Sequence, residues 1–174
     1  MRTGKLVVSV LSVCWAMCIL APAVAGAETT TAEETSVRIT DHGKRPWILD
    51  IEEATISNEN FRIANWTGNV LQLTLMSIEP GGEIGLEMHE GMDQFIRIEE
   101  GNARVVMGRS EDSLTFDEEV TDDWAIFIPD GYWHNIINTG DGDLKLYAIY
   151  APPEHPMSTI HPTYEDAEED HHHH

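Results

Sequence analysis

The 174-residue chain contains only two cysteines, Cys14 and Cys18, and both lie in its first 25 residues. The rest of the chain has no thiol, which excludes disulfides and cysteine metal ligands from any domain that follows. A metal site in that domain must therefore use histidine and oxygen ligands. The absence of cysteine also suits an oxidising compartment, where a spare thiol is a liability.

Basic residues are scarce: 10 Lys and Arg stand against 31 Asp and Glu, giving a formal net charge of −21. A surface with this charge repels phosphate backbones and anionic lipids, so we expect no nucleic-acid partner. The acidity is typical of proteins that stay soluble in a salty or acidic medium. A specific cationic partner is the alternative interpretation.

The first 25 residues have the composition of an export signal. Arg2 and Lys5 charge the start, residues 6–20 are nearly all apolar, and Ala23 and Ala25 offer small residues for cleavage. We interpret residues 1–25 as a signal peptide and expect an exported protein, periplasmic or extracellular, with no membrane attachment after cleavage. An uncleaved anchor is the alternative, because the segment approaches the ~20 apolar residues that span a bilayer.

Two other segments are predicted to be unstructured. Residues 26–36 have no apolar periodicity and are predicted to form a flexible leader. Residues 163–174 are acidic and end in four histidines, so we predict a disordered tail there. The folded domain is expected to cover residues 37–162.

Within that domain no apolar period of helix length occurs, whereas short alternating stretches recur between turn residues. Residues 70–78 alternate apolar and polar side chains and end at Pro80, Gly81 and Gly82, as expected of a strand followed by a turn. The pattern predicts an antiparallel sandwich or barrel. The predicted strands cover residues 70–78, 95–100, 103–107, 113–120, 124–128, 133–137 and 144–150, with edge strands at 47–51 and 60–64 and an extended strap at 158–162.

Four side chains with metal-binding atoms occur in two stretches, residues 80–101 and 129–135. Glu87 and His89 are two residues apart, so on a strand they project from the same face. Gln94 follows after a short turn, and His134 follows a Pro-x-Gly turn. All four converge only if the chain folds back on itself, as it does in a barrel.

The two stretches resemble the paired motifs of the cupins, small double-stranded β-helix (jelly-roll) barrels. The first motif runs Gly, five residues, His-x-His, three or four residues, Glu, six residues, Gly, and its spacing is matched by Gly81, Glu87, His89, Gln94 and Gly101. The second runs Gly, five residues, Pro-x-Gly, two residues, His, three residues, Asn, and is matched by Asp123, Pro129, Gly131, His134 and Asn138. The resemblance covers about residues 61–151 and implies an all-β cupin fold.

Three positions depart from the family pattern: Glu87 replaces the first His, Gln94 replaces the Glu, and Asp123 replaces a Gly. Because the first two positions bind metal in the family, the resemblance implies a divalent metal site formed by Glu87, His89, Gln94 and His134. The carboxylate has moved to another corner of the site, and every corner keeps a donor atom. Zinc, iron(II), manganese and nickel all suit such N and O ligands. The alternative is that each of these residues makes ordinary hydrogen bonds in the barrel mouth.

A largely apolar pocket is predicted beside these ligands. Strand parity places Ile96 and Ile98 on the face of Gln94, and Ile136 on the face of His134. Tyr147 is expected to join them from an adjoining strand. A small-molecule ligand is therefore predicted to bind against Ile96, Ile98, Ile136 and Tyr147.

Two classes of function remain open. The first is a metal-dependent enzyme of dioxygenase, isomerase or lyase type that acts on a small oxygen-rich molecule. The second is a non-catalytic module that holds a metal or a small ligand. A phosphosugar is disfavoured, because the basic residues counted in the barrel are Arg97, Arg104, Arg109 and Lys145. Cupins commonly pair through sheet edges, so the resemblance also implies a homodimer.

Overall fold

Two antiparallel sheets face each other in the computed structural model, which describes residues 41–171. The predicted signal peptide (1–25) and leader (26–36) lie outside the described residues. The elements in the described part are α1 (Ile51–Ile56), β1 (Arg62–Thr67), β2 (Gln72–Ile78), β3 (Asp93–Glu100), β4 (Asn102–Gly108), β5 (Phe116–Thr121), β6 (Ala125–Ile128), β7 (Trp133–Asn138), β8 (Leu144–Ala151), β9 (Ile160–His161) and α2 (Tyr164–His171).

The larger sheet has the strand order β6-β3-β8-β2-β1-β9, and the smaller sheet has the order β5-β4-β7. The segment before β3 extends the smaller sheet along β7. In this segment Ile84 N–H donates to the carbonyl of Ile136 at 3.0 Å, and Asn138 N–H donates to the carbonyl of Gly82 at 2.9 Å. The predicted all-β jelly-roll architecture is confirmed, and each strand predicted between residues 70 and 150 has a counterpart.

The main core lies between the two sheets. Ile96 and Ile98 of β3, Leu146 of β8 and Ile136 of β7 point into it, and each is at most 1% exposed. Burial of each such side chain contributes about 1.5–3 kcal/mol to stability. The predicted metal ligands lie in the barrel interior, at the end where β7 pairs with the chain before β3.

A second apolar cluster covers the outer face of the larger sheet. It contains Leu75 and Tyr147, and α1 packs against it through Ile51 and Ala54. The prediction of an edge strand at residues 47–51 is therefore wrong. Asp50 caps the helix by accepting a hydrogen bond from Glu53 N–H at 3.2 Å, and six residues are too few to show a helical period in the sequence.

The strap pairs with the edge strand predicted at residues 60–64. Ile160 lies opposite Ile63, and His161 lies opposite Arg62, so β9 adds to the sheet outside β1. The extended strap predicted at 158–162 is confirmed over the β9 residues. The strand predicted at 60–64 exists as β1, although β9 and not β1 forms the edge.

The prediction of a disordered tail at 163–174 is wrong over the residues of α2; His172, His173 and His174 lie outside the described residues. Thr163 begins the helix with reciprocal hydrogen bonds to Asp166, whose carboxylate accepts from Thr163 N–H at 2.9 Å. This is a capping box with Asp in place of Glu, and acidic residues in the first turn also complement the helix dipole. Neither helix of the described part is long and apolar enough to cross a membrane.

The helix α2 is held to the barrel by three contacts. Ala167 is 2% exposed and belongs to the main core. The ring of Tyr164 packs edge-to-face on Phe61 with a centroid distance of 5.4 Å. His161 Nε2 and Asp170 Oδ2 are 2.8 Å apart. Apolar burial and a hydrogen bond therefore offset the cost of ordering a short acidic helix.

Docking of α2 predicts that Tyr164→Ala lowers the free energy of unfolding by about 1–3 kcal/mol, because the variant loses a partly buried aromatic contact. The matched Tyr164→Phe variant keeps the ring. Its loss of unfolding free energy should be only a few tenths of the loss in Tyr164→Ala. Urea denaturation of the three proteins measures both effects. Equal stability of all three would show that α2 does not dock in solution.

Candidate metal centre

Glu87 and His134 face each other across the extension of the smaller sheet. Glu87 N–H donates to the carbonyl of His134 at 3.0 Å, and His134 N–H donates to the carbonyl of Glu87 at 2.9 Å. Residues that exchange both hydrogen bonds in an antiparallel pair have side chains on the same face. Their carboxylate and imidazole therefore meet, with Glu87 Oε1 and His134 Nε2 3.3 Å apart.

His89 reaches the same point from the chain beyond Glu87. Its carbonyl accepts a hydrogen bond from Gly131 N–H at 2.9 Å, which ties the backbone of His89 to the Pro-x-Gly turn. A φ of +72° at Gly131 is accessible to glycine at little cost, so the turn is tight enough to place His134 three residues later. His89 Nε2 lies 3.3 Å from Glu87 Oε1.

The three donor atoms have the spacing of ligands around one ion. Metal–ligand distances of about 2.0–2.2 Å, with angles of about 90–110°, place ligand atoms about 2.8–3.6 Å apart. Glu87, His89 and His134 form a group whose donor atoms all lie within 4.8 Å of one another. Glu87 Oε1, His89 Nε2 and His134 Nε2 are buried and have no hydrogen-bond partner among the described residues. The donor set therefore fits a divalent ion.

Gln94 supplies a fourth unpartnered atom in the barrel. The residue is 4% exposed, and its Oε1 is buried without a hydrogen-bond partner in the described part of the chain. On β3 it shares the interior face with Ile96 and lies opposite Tyr150 of β8. The ring of Tyr150 packs edge-to-face against His89 at 5.8 Å. Gln94 therefore lies on the interior face of β3, beside Tyr150, which contacts His89 of the cluster.

The outer nitrogens of both imidazoles have partners. His134 Nδ1 lies 3.0 Å from the carbonyl of Tyr132, which can only accept a hydrogen bond. In neutral His134 the proton is therefore on Nδ1, which leaves the Nε2 lone pair free for an ion. His89 Nδ1 lies 3.5 Å from Glu154 Oε1. Carbonyl and carboxylate partners of this kind orient histidine ligands in metal sites.

The charges of the cluster oppose the effect of burial. Burial alone would raise the pKa of Glu87, but the imidazoles of His134 and His89 and the charge of Arg62 outweigh it and hold that pKa well below its ordinary value. Burial alone would lower the pKa of His89, yet the carboxylates of Glu154 and Glu87 raise it to about 9. The carboxylate is thus ionised, and an ion that binds His89 near neutral pH must displace a proton.

Three of the four predicted pocket residues face the barrel interior. Ile96, Ile98 and Ile136 belong to the core between the sheets. The prediction for Tyr147 is wrong, because Tyr147 lies on the outer face of β8 in the cluster covered by α1. The inward residue of β8 at the site is Tyr150, which is 1% exposed.

Sequence reasoning missed Arg62, Tyr150 and Glu154. Arg62 is 2% exposed, and its charge acts on both Glu87 and Tyr150. It lies just inside the predicted strand at 60–64, where one arginine among apolar neighbours was the available signal. Arg62 is therefore a further basic residue of the barrel, in addition to Arg97, Arg104, Arg109 and Lys145.

Histidines without motif spacing lie outside the cluster. His42 stacks on Trp47 at 4.1 Å, and His161 contacts α2. His155 packs edge-to-face on Tyr150 at 5.2 Å, so it contacts a neighbour of the cluster. None of the three belongs to the metal-binding group found among the described residues.

Two other motif positions have structural roles. Asp123, which stands where the cupin pattern has Gly, adopts a left-handed φ of +68° and forms an ion pair with Arg97. Aspartate tolerates this conformation better than most residues, so the turn survives the substitution. Asn138 donates to the carbonyls of Ile78 and Gly142 at 2.8 and 2.9 Å and fastens the turn before β8.

Comparison with known proteins gives consistent results. A family model described as "Cupin domain" matches residues 74–150. "Uncharacterized protein YrkC" of Bacillus subtilis (strain 168) is 51% identical over 135 residues, which cover 78% of this chain and 73% of that protein. "Uncharacterized protein L612" of Acanthamoeba polyphaga mimivirus is 39% identical over 115 residues, covering 66% and 70%. The crystal structure of BH2720 from Bacillus halodurans is 56% identical, covers 75% of this chain and 99% of that chain, and has a TM-score of 0.74.

Proposed function

The chain belongs to the cupin family, and we propose that it is a metal-dependent member that binds one divalent ion and acts on a small oxygen-rich molecule. Glu87, His89 and His134 would hold the ion, with the amide oxygen of Gln94 as a weaker fourth ligand. The observation that carries the proposal is the set of four buried donor atoms that have no hydrogen-bond partner among residues 41–171. Burial of such atoms is costly unless something binds them.

Two histidines and one carboxylate form a three-ligand set that leaves coordination positions open, as catalytic sites do and closed structural sites do not. Zinc, iron(II), manganese and nickel are the candidate ions. When bound, such an ion polarises a substrate oxygen or activates water. The carbonyl of Tyr132 and the carboxylate of Glu154 keep the two imidazoles oriented toward it.

Proton transfer would depend on few groups. Glu87 is ionised and points at the ion site, whereas Gln94 is neutral and cannot accept a proton as the usual glutamate would. The side chain of Glu154 is 29% exposed and contacts His89, so it is the carboxylate at the solvent side of the cluster. We assign to Glu154 the exchange of protons between the site and water.

A non-catalytic binding module is the alternative, and Gln94 is the residue that favours it. An amide in place of a carboxylate removes one candidate general base while keeping a ligand atom. Binding of an ion would then serve to hold a ligand without converting it.

Metal analysis tests the proposed ligands. With His171 to His174 replaced by alanine in every protein, we expect about one ion per chain in the parent, and a loss of affinity of at least about 100-fold in Glu87→Gln and His134→Ala, since even the loss of an outer partner costs about 10–100-fold. His42→Ala is the matched control and should keep the ion. A parent protein without bound metal, or variants that retain it, would contradict the proposal.

Turnover distinguishes the enzyme from the binding module. Metal-loaded protein should convert a member of a panel of catechols, flavonols and sugars at a rate proportional to its metal content, because the ion supplies the activation. Product formation is followed by liquid chromatography. Tight binding of a panel member with no product would support the non-catalytic alternative instead.

Export is proposed from the composition of residues 1–25. Expression of the full chain in a host with a general secretion system should give a mature protein in the periplasm or medium whose mass lacks these residues. Intact-mass spectrometry of the soluble fraction measures this. Recovery of the full-length mass from the membrane fraction would support the anchor interpretation.

A further inference from the structure

Arg62 is a buried cation in the barrel with no bonded partner for two of its nitrogens. Only 2% of the residue is exposed. Its Nε and Nη1 are buried and make no hydrogen bond to any described residue. The guanidinium lies 5.3 Å from the ring centroid of Phe61, a contact that leaves the N–H donors unsatisfied. An arginine cannot lose its proton to escape this burial, so an unpaired guanidinium is costly in the free protein.

The register of the larger sheet shows why this arginine fits inside. Arg62 lies opposite Met76, whose side chain belongs to the main core, so Arg62 also points into the barrel. The next inward row contains small residues: Ala64 lies opposite Thr74, and Thr74 lies opposite Ala148. These three residues are fully buried. The short side chains leave room for the long arginine to extend along the inner face of the sheet.

The arginine acts on the metal centre through space. Its charge lowers the pKa of Glu87 and, against the larger effect of burial, that of Tyr150. Tyr150 in turn packs on His89. On β8, Tyr150 lies two residues beyond Ala148 and opposite Gln94, so the row of small residues separates Arg62 from the residues beside the proposed ion. Arg62 therefore extends toward that ion, and its Nε and Nη1 make no hydrogen bond to a carboxylate of the described residues.

We propose that Arg62 binds the carboxylate of the small molecule whose second oxygen occupies an open position at the Glu87, His89 and His134 centre. The inference rests on the proposed metal site and deepens it by naming the substrate class. A 2-hydroxy or 2-oxo acid meets both requirements. Its carboxylate would bind Arg62, and its adjacent hydroxyl or oxo oxygen would bind the ion. Guanidinium groups bind carboxylates through two parallel hydrogen bonds, which fixes the orientation of such a ligand.

The charges favour a carboxylate over a phosphate, although guanidinium groups bind both. With neutral imidazoles, the charges of Glu87, Glu154, Arg62 and a divalent ion sum to one positive charge. A monoanionic carboxylate brings this sum to zero, whereas a phosphate dianion makes it negative. The second negative charge would repel Glu154, whose side chain lies 3.5 Å from His89 Nδ1, so the charges favour the monoanion.

Titration with glycolate tests this inference in the full chain with His171 to His174 replaced by alanine, called the wild type below, and loaded with cobalt(II), whose visible absorption reports ligands bound to the ion. We expect saturable glycolate binding by the wild type and binding weaker by about tenfold or more in Arg62→Gln, as for loss of a charged hydrogen bond. Arg62→Lys should fall between them. Arg97→Gln is the matched control, because Arg97 pairs with Glu99 and Asp123 outside the barrel interior, and it should bind glycolate as the wild type does.

The outcomes separate this inference from the proposed function. Failure of the wild type to bind cobalt(II) would refute the metal centre itself. Cobalt(II) binding with equal glycolate affinity in wild type and Arg62→Gln, or with ethylene glycol binding as tightly as glycolate, would refute the role of Arg62 alone. Tighter binding of inorganic phosphate than of glycolate would refute the carboxylate assignment. Arg62→Lys keeps the positive charge, so it provides the comparison if Arg62→Gln does not fold.

Discussion

The backbone pairing of Glu87 with His134 is the constraint on which the site depends. Two hydrogen bonds of 3.0 and 2.9 Å hold these residues directly opposite each other, at a point where the chain before β3 joins the smaller sheet. A shift of one residue in this pairing would turn one of the two side chains to the outer face. The turn at Gly131 and the hydrogen bond it donates to His89 preserve the same register. The ligand geometry is therefore a consequence of sheet pairing and not of flexible side chains.

The barrel keeps several buried polar atoms unbonded around that pair. Glu87, His89, Gln94 and His134 each present such an atom, and each is carried by backbone fixed in or next to a sheet. In a domain of this size an isolated unsatisfied atom costs about 1–3 kcal/mol. The apolar core beside them, with side chains such as Ile96 and Ile136 fully buried, supplies stability that offsets this cost. Binding sites commonly hold such strain, since a ligand relieves it.

The sequence allows prediction of the fold and of the cluster of Glu87, His89 and His134, because both leave local signals. Alternation in residues 70–78 marks β2, and motif spacing brings Glu87, His89 and His134 together. The expectation that Tyr147 joins the pocket from an adjoining strand is wrong, because β8 is apolar on both faces: the core covers one face and α1 covers the other. Acidic composition predicts disorder where α2 forms, whereas the capping box of Thr163 and Asp166 is the local signal for the helix. Arg62 was missed because burial of a charge depends on small neighbours in other strands, and a single strand does not reveal these.

The donors of the proposed centre come from both sheets, and this has a consequence for stability. Glu87 and His134 belong to the smaller sheet and its extension, whereas Gln94 belongs to β3 of the larger sheet. An ion bound by all of them would connect the two layers across the core. Because the unfolded chain cannot present these atoms together, the free energy of metal binding would add to the free energy of folding. An ion bound there would also occupy the polar atoms of Glu87, His89, Gln94 and His134 that make no hydrogen bond within the described residues.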